Sequence, residues 1–412
     1  MKKIILATLF LISCLSFVSC ENLFMEPSPS EDPQAVFNSM WETVRDKYSF
    51  FEYKNIDWES IRAEYESRIS PEMSDEDLFY VLADMLNELR DGHVNIRSRF
   101  DVSVYKGINR VEGEDSLFTE FIPDFYDGDI LEERYFIKLD DNDEEIRIAN
   151  GFSNKIFSRV NLQGGLSKIG YIRYSSFVNT INKEALDNTL KRFEDAGVVG
   201  LILDMRENGG GSLTNAFRLS SRLINVDEST VLETVYKDGP AIDSFTAPAA
   251  YSVKKEGPIQ FTKPVALLIN RNSFSATSYF AAIMRAPGFE HVRSFGNNTG
   301  GGGGLPSDFQ LPNGWYYRFS TTRTYTPFIG TDQIYIGENQ FKGANGSELV
   351  HPENRFDFEA GVPVEFPISN ERFEAAQDIQ RDYLMEATMR LIIQNQEQWN
   401  QISPGQLIDF EL

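Results

Sequence analysis

Residues 264–280, PVALLINRNSFSATSYF, decide the fold and carry the first chemical signal of the chain. The run VALLI at 265–269 is short, apolar and rich in branched side chains, the pattern of a strand buried on both faces. Asn270, Arg271 and Asn272 end it with turn-forming chemistry. Ser273-Phe274-Ser275-Ala276-Thr277-Ser278 follows, and residues 279–284 have the composition of a helix. A strand, a tight turn, a serine and a helix lift a hydroxyl out of a sheet. The free N–H groups and positive dipole end at the helix start then favour the negative charge that forms when an acyl carbon is attacked. The same letters also read as a serine-rich N-cap, so two distant stretches have to decide between nucleophile and cap.

The chain has 412 residues, 41% of them hydrophobic, enough for one large domain or two to three smaller ones. Its formal net charge of −23 argues against nucleic acid as a partner, because phosphate binding needs clustered Lys and Arg. Residues 1–20 read as a signal peptide: Lys2 and Lys3 form the positive start, 4–18 is nearly all apolar, and Ser19-Cys20 ends it. A small residue before a Cys at that place resembles a bacterial lipoprotein cleavage site. Lipidation of Cys20 is what that resemblance implies, with residues 21–34 as a disordered, Pro- and acid-rich tether. The expected location is therefore the cell envelope, with attachment to the outer membrane and membrane contact only through the lipid. Cys14 and Cys20 are the only cysteines, so the mature chain holds no disulfide, cysteine nucleophile or thiolate metal site. No metal site and no cofactor is expected.

Residues 35–98 read as a helical subdomain. Phe37, Trp41, Val44 and Tyr48 recur every three or four residues, Asp57 caps the next helix ahead of Trp58, and Ser74 with Asp77 resembles a capping box. The unit ends in LRDGHV at 89–94, where Gly92 reads as a helix C-terminal glycine and His93 follows on a turn. Three histidines are present, His93, His291 and His351. Residues 99–166 form an acidic, β-rich segment that lacks the carboxylate-binding loop of a PDZ module. Its run at 140–145 allows a calcium site or an acidic turn, and it lacks the central glycine of an EF-hand loop.

Residues 167–370 repeat strand and helix, at about 168–194, 198–224 and 264–284, which indicates an α/β core. The strand VVGLILD at 198–204 runs into Met205-Arg206-Glu207-Asn208-Gly209-Gly210-Gly211-Ser212 and then a helix. That loop is either a phosphate loop, although the lysine and spacing of one are missing, or an oxyanion hole. Five glycines, 300–304, read as a flexible loop beside a site or as a linker, and Pro312-Asn313-Gly314 as a hairpin turn. A helix from about 372 to 396 closes the chain within a 371–412 tail.

Four stretches in order, LRDGHV at 89–94, GYIRYSSF at 170–177, GLILDMRENGGG at 200–211 and LLINRNSFSATS at 267–278, resemble the C-terminal processing (tail-specific) serine peptidases, in their tricorn-like, histidine-using branch. The resemblance implies a crotonase-like (ClpP-like) α/β core behind a helical subdomain, and a polypeptide substrate. By motif position it makes Ser275 the nucleophile, His93 the general base, and the N–H groups of Ala276 and of Gly209 or Gly210 the oxyanion donors. Glu359 is the candidate carboxylate supporting His93, and Ser273 the fallback nucleophile. The lysine that the family's other branch places after the nucleophile is replaced here by glycine, and the glutamate three residues after it by Ser278. Two functions follow: an envelope-tethered endopeptidase, or a catalytically silent relative that binds peptides. A glycan-binding lipoprotein is a third, resting only on aromatic content.

Overall fold

The computed structural model describes residues 32–105, 126–136, 151–161, 163–326, 356–357, 359, 361–368, 370–378, 381–394, 396 and 399–402. Residues 1–31, with Cys20, the signal peptide and most of the tether, lie outside them, as do the acidic run 140–145 and His351; the end of the expected tether, 32–34, is not disordered but caps and opens the first helix. Three helices open the described chain: α1 (Pro33–Lys47), α2 (Trp58–Glu66) and α3 (Asp75–Asn87). Each starts where its sequence puts a cap. Asp32, Asp57 and Ser74 accept from the N–H groups of Ala35, Ser60 and Asp77, satisfying donors that no helical carbonyl can reach. Their apolar stripes bury Phe37, Trp41 and Val44 from α1 and Phe79, Leu82 and Leu86 from α3. Trp41 and Trp58 each donate an indole N–H to the other's carbonyl, at 3.2 and 3.1 Å.

The chain continues through β1 (Asn95–Arg97), β2 (Val102–Val104), β3 (Phe152–Val160), β4 (Leu166–Tyr174), α4 (Lys183–Asp195), β5 (Val198–Asp204), α5 (Leu213–Ser220), β6 (Glu228–Tyr236) and β7 (Ala249–Lys254). Next come β8 (Val265–Ile269), α6 (Ala276–Ile283), β9 (Val292–Gly296), β10 (Pro306–Gln310), β11 (Tyr316–Ser320), β12 (Thr322–Thr326), β13 (Phe356–Asp357), β14 (Phe366–Pro367), α7 (Asn370–Asp378) and α8 (Tyr383–Gln394). A six-stranded sheet, ordered β14-β9-β8-β5-β4-β3, is the centre of the molecule. It is parallel from β4 to β14, and β3 is added antiparallel at one edge. Each residue of β8 is buried, as the unbroken apolar run requires of a strand covered on both faces.

Several sequence expectations change in the folded chain. The segments 35–98 and 99–166 are not closed units: β1 pairs with β2 and with β11, and β3 extends the central sheet. The helix expected at 372–396 is two helices, because Asp382 caps a fresh start by accepting from the Met385 N–H. The left-handed residue after α3 is Arg90, at φ 48°, rather than Gly92. The glycine run at 300–304 is buried rather than a flexible loop. Gly301 forms a bridge with Phe274, and a Cβ there would lie 1.9 Å from the Glu359 carbonyl oxygen. A Cβ has no room at four of these positions: Gly300 and Gly301 pack on the backbone of Arg271 and Glu359, Gly302 on the Phe274 ring, and Gly304 on the Ser320 and Phe50 side chains.

Candidate active site

Strands β5 and β8 are parallel neighbours, with Leu203 facing Leu267 and Asp204 facing Leu268. Their C-terminal ends therefore release two loops side by side, the usual place for a site in an open α/β sheet. The loops are tied together. The N–H of Phe274 donates to the Asn208 carbonyl at 3.0 Å, the Thr277 hydroxyl donates to the same oxygen at 2.8 Å, and Asn270 and Asn272 donate side-chain amides to the Glu207 carboxylate at 2.7 and 2.9 Å. Ser275 sits at the N-cap of α6 with φ 53° and ψ −119°. A non-glycine residue held there costs about 1–3 kcal/mol and persists only where surroundings over-determine it. Here its N–H is held by the Gly301 carbonyl at 2.9 Å.

The strained turn presents the Ser275 hydroxyl to His93, whose Nε2 lies 2.9 Å from Oγ. The two residues are 182 positions apart, and sheet pairing brings them together. β1 starts two residues after His93 and pairs with β11, which ends at Ser320. The Ser320 Oγ lies 3.2 Å from His93 Nδ1, and the Asp91 carboxylate accepts the His93 N–H at 2.8 Å and lies 3.7 Å from Nδ1. With Nε2 accepting from Ser275, Nδ1 carries the proton and donates to Ser320, with the Asp91 carboxylate beside it. Burial holds the His93 pKa below its ordinary value, with Asp91 opposing and Lys54 and Arg318 adding to the drop. The base is therefore neutral at neutral pH, the form that can take a proton.

The backbone around the serine offers free donors. Among the described residues, neither the Gly209 nor the Ala276 N–H finds an acceptor in the protein. The expectation for Gly210 is corrected: its N–H is taken by the Asn208 side-chain oxygen at 3.0 Å. Gly210 acts by being small, since a Cβ there would come within 2.6 Å of the Phe274 carbonyl oxygen and 2.9 Å of the Ala276 nitrogen. The phosphate-loop alternative receives no lysine at this loop.

Two further expectations are corrected. Glu359 does not support His93 directly: its Oε1 is paired with the buried Lys54 ammonium at 2.8 Å, and Asp91 is the carboxylate beside the imidazole. Ser273 is no fallback nucleophile, because its buried hydroxyl donates to the Met205 carbonyl at 2.8 Å and accepts the Asn270 N–H. Ser278, standing where a glutamate was expected, donates to Thr299 Oγ1 at 2.9 Å, and Thr299 in turn accepts the Val362 N–H. His291 is structural, its Nε2 on the Phe261 carbonyl. The sequence reading missed Ser320, Asp91 and Lys54. Asp91 lies within the LRDGHV stretch, two residues before the histidine, a spacing at which an Asp side chain bonds a backbone N–H; Ser320 carries no local signal.

Comparison with known proteins agrees with this geometry. Residues 168–334 match the family model of peptidase family S41, and residues 29–87 that of the tricorn protease C1 domain. A carboxyl-terminal-processing protease of Synechocystis sp. is 30% identical over 159 residues, 39% of this chain and 34% of that protein. The carboxy-terminal processing protease of Bacillus subtilis (strain 168) is 27% identical over 184 residues, 44% of this chain and 36% of that protein. The match thus spans about a third of the length of these curated relatives. Among solved structures, one described as a candidate peptidase of Parabacteroides merdae ATCC 43184 aligns at a TM-score of 0.63 and 28% identity, covering 89% of this chain and 99% of that one. Mature CPAF aligns at 0.56 with 12% identity over 90% and 98%, a likeness of fold alone. With a serine, a histidine and free helix-start donors assembled on that fold, residues 168–334 are a peptidase family S41 domain by their match, the part of the chain that is similar to the C-terminal processing serine peptidases.

Proposed function

We propose that the protein is an envelope-tethered serine endopeptidase that cleaves exported polypeptides through an acyl-enzyme on Ser275, with His93 as general base. The observation that carries this reading is the 2.9 Å contact between Ser275 Oγ and His93 Nε2 at the start of α6. In the first step Nε2 takes the hydroxyl proton while Oγ bonds the scissile carbonyl carbon. The oxyanion that forms is met by the N–H groups of Ala276 and Gly209, which need no reorganisation to receive it. The imidazolium, steadied through Ser320 and Asp91, then gives its proton to the leaving amine. Water, deprotonated by the same nitrogen, releases the acyl group. The tether rests on Lys2 and Lys3, the apolar run 4–18 and Ser19-Cys20. No described helix is long and apolar enough to cross a membrane.

The reading is tested by incubating the full chain with an unfolded polypeptide and sequencing the new termini by mass spectrometry, and by metabolic labelling of Cys20 with a tagged fatty acid. New internal termini, and a lipid tag lost in Cys20→Ala, are expected. A folded, pure protein that generates no termini sinks the catalytic part, and an untagged wild type sinks the tether.

The relay behind His93 has its own expected outcome. Ser320→Ala removes the acceptor of the Nδ1 proton, and kcat should fall about tenfold to a hundredfold, part of the 10²–10⁴ that a positioned base supplies. KM should change little, since Ser320 lies behind the ring rather than at the substrate. Steady-state kinetics on one peptide checks it, and an unchanged kcat would show that Ser320 does not orient the histidine.

A further inference from the structure

Lys54 is a buried lysine next to the catalytic set, and the mechanism above does not use it. Its side chain is 3% exposed, with Nζ 2.8 Å from Glu359 Oε1 and 3.0 Å from the Arg90 carbonyl oxygen. Its own carbonyl accepts the Arg90 guanidinium, and its N–H donates to the Phe50 carbonyl at 2.9 Å. The ammonium is thus locked between the loop after α1, the loop before His93 and the Glu359 turn. It touches neither Ser275 nor the oxyanion donors in any contact of the site. A lysine so held loses side-chain freedom and hydration, costs that two compensating charges have to offset.

Two buried carboxylates are close enough to do so. Glu359 pairs with it directly. Asp91, fully buried and placed against the His93 ring with Nδ1 at 3.7 Å, feels its field as well. We propose that Lys54 is a positioning residue that sets the charge of the His93 pocket, its ammonium offsetting Glu359 and Asp91 so that the imidazole stays neutral until it receives the serine proton. The proposal rests on the reading of His93 as general base. Without Lys54, an imidazole beside Asp91, with Glu359 behind, would be stabilised as the imidazolium, and an imidazolium cannot act as a base. The groups that face His93 are Asp91 from its own loop, Ser320 and Arg318 from β11, Ser275 and Phe274 from the nucleophile turn, and Lys54 with Glu359 behind it. Burial opposes the charged ring most, Asp91 favours it, and Lys54 and then Arg318 add to the opposition.

The test titrates His93 directly in the full chain by NMR with labelled imidazole. The chain has three histidines, so His93 is assigned by the resonance missing in His93→Gln. Lys54→Met, which keeps length and apolar stem, should raise the proton affinity of His93 at least tenfold. Glu359→Gln, which leaves the ammonium less opposed, should lower it, and the double variant should return towards wild type. The acid limb of kcat/KM should move with each. A lysine that only braces the loops would change thermal stability and leave these titrations where they are. That result in folded Lys54→Met overturns the proposal. Should Lys54→Met fail to fold, Glu359→Gln decides alone, and an unmoved or raised titration overturns it. The titration needs no turnover. Variants that shift as described beside a wild type that cleaves nothing therefore count against the peptidase reading, and a cleaving wild type whose variants leave the titration unmoved counts against Lys54.

Discussion

Ser275→Ala is expected to lower peptide hydrolysis by at least about 10³-fold while leaving the protein folded. Removal of the nucleophile in a serine–histidine set abolishes nearly all the covalent catalysis, and what survives over the uncatalysed rate comes from the oxyanion donors and binding. The effect should be confined to turnover. Ser275 Oγ holds up no secondary structure: it makes no cap bond to α6, and its contact is with His93. Its backbone conformation is imposed by the Gly301 carbonyl, the Asn208 bonds and the packing of Gly210, all of which an alanine keeps. The unfolding free energy should therefore stay within about 1 kcal/mol of wild type. Initial rates on a fluorogenic peptide, set beside urea unfolding of the same sample, give both numbers. Retained hydrolysis would move the nucleophile elsewhere, and a collapse of stability would make Ser275 part of the scaffold.

The second large effect is on stability. Arg206 is completely buried at the start of the glycine loop. Its Nε and Nη2 meet the two oxygens of Asp204 at 2.9 and 2.6 Å, and its Nη1 meets Asp382 at 2.8 Å. The Tyr171 hydroxyl donates to Asp204 at 3.0 Å, and the Arg173 guanidinium approaches the same carboxylate. One guanidinium thus joins the end of β5 to the cap of α8, three residues before Gly209. Arg206→Met leaves two buried carboxylates facing each other with reduced compensation. Breaking such a set by removing one partner costs about 3–5 kcal/mol. Arg206 holds the Asp204 carboxyl below the usual carboxylate range against the effect of burial, whereas burial raises Asp382. Asp382 is therefore the carboxyl that takes a proton first, and Arg206→Met should regain part of its lost stability as pH is lowered through that protonation. Urea unfolding at two pH values measures it. A loss under about 1 kcal/mol would mean that the network is replaceable by apolar packing.

The parts of this molecule that sequence reveals are those specified locally. Strands β5 and β8 declare themselves by unbroken apolar runs, the caps Asp32, Asp57 and Ser74 by residue type, and the nucleophile by its turn between strand and helix. The site is legible as far as its members sit in such motifs, which is why Ser275, His93, Gly209 and Ala276 could be named. What stayed hidden depends on long-range register. Ser320 reaches His93 only because β1 pairs with β11, and nothing around residue 320 marks it. Glu359 was assigned to the histidine by its place near the final strand, but the nearest cation, Lys54, comes from 305 residues away. The glycines at 300–304 look like slack in one dimension, because their purpose, close packing against Phe274 and the Glu359 turn, exists only in three. The C-terminal break was missed for a related reason: Asp382 doubles as a helix cap and as a ligand of Arg206.

The central claim is that His93 activates the Ser275 hydroxyl, and active-site labelling tests it most directly. The folded full chain is treated with a serine-directed fluorophosphonate at neutral pH, digested, and mapped by mass spectrometry. One adduct is expected, on the peptide carrying Ser275, absent in Ser275→Ala and formed far more slowly in His93→Gln. An adduct on another serine, or equal labelling of wild type and His93→Gln, would contradict the claim.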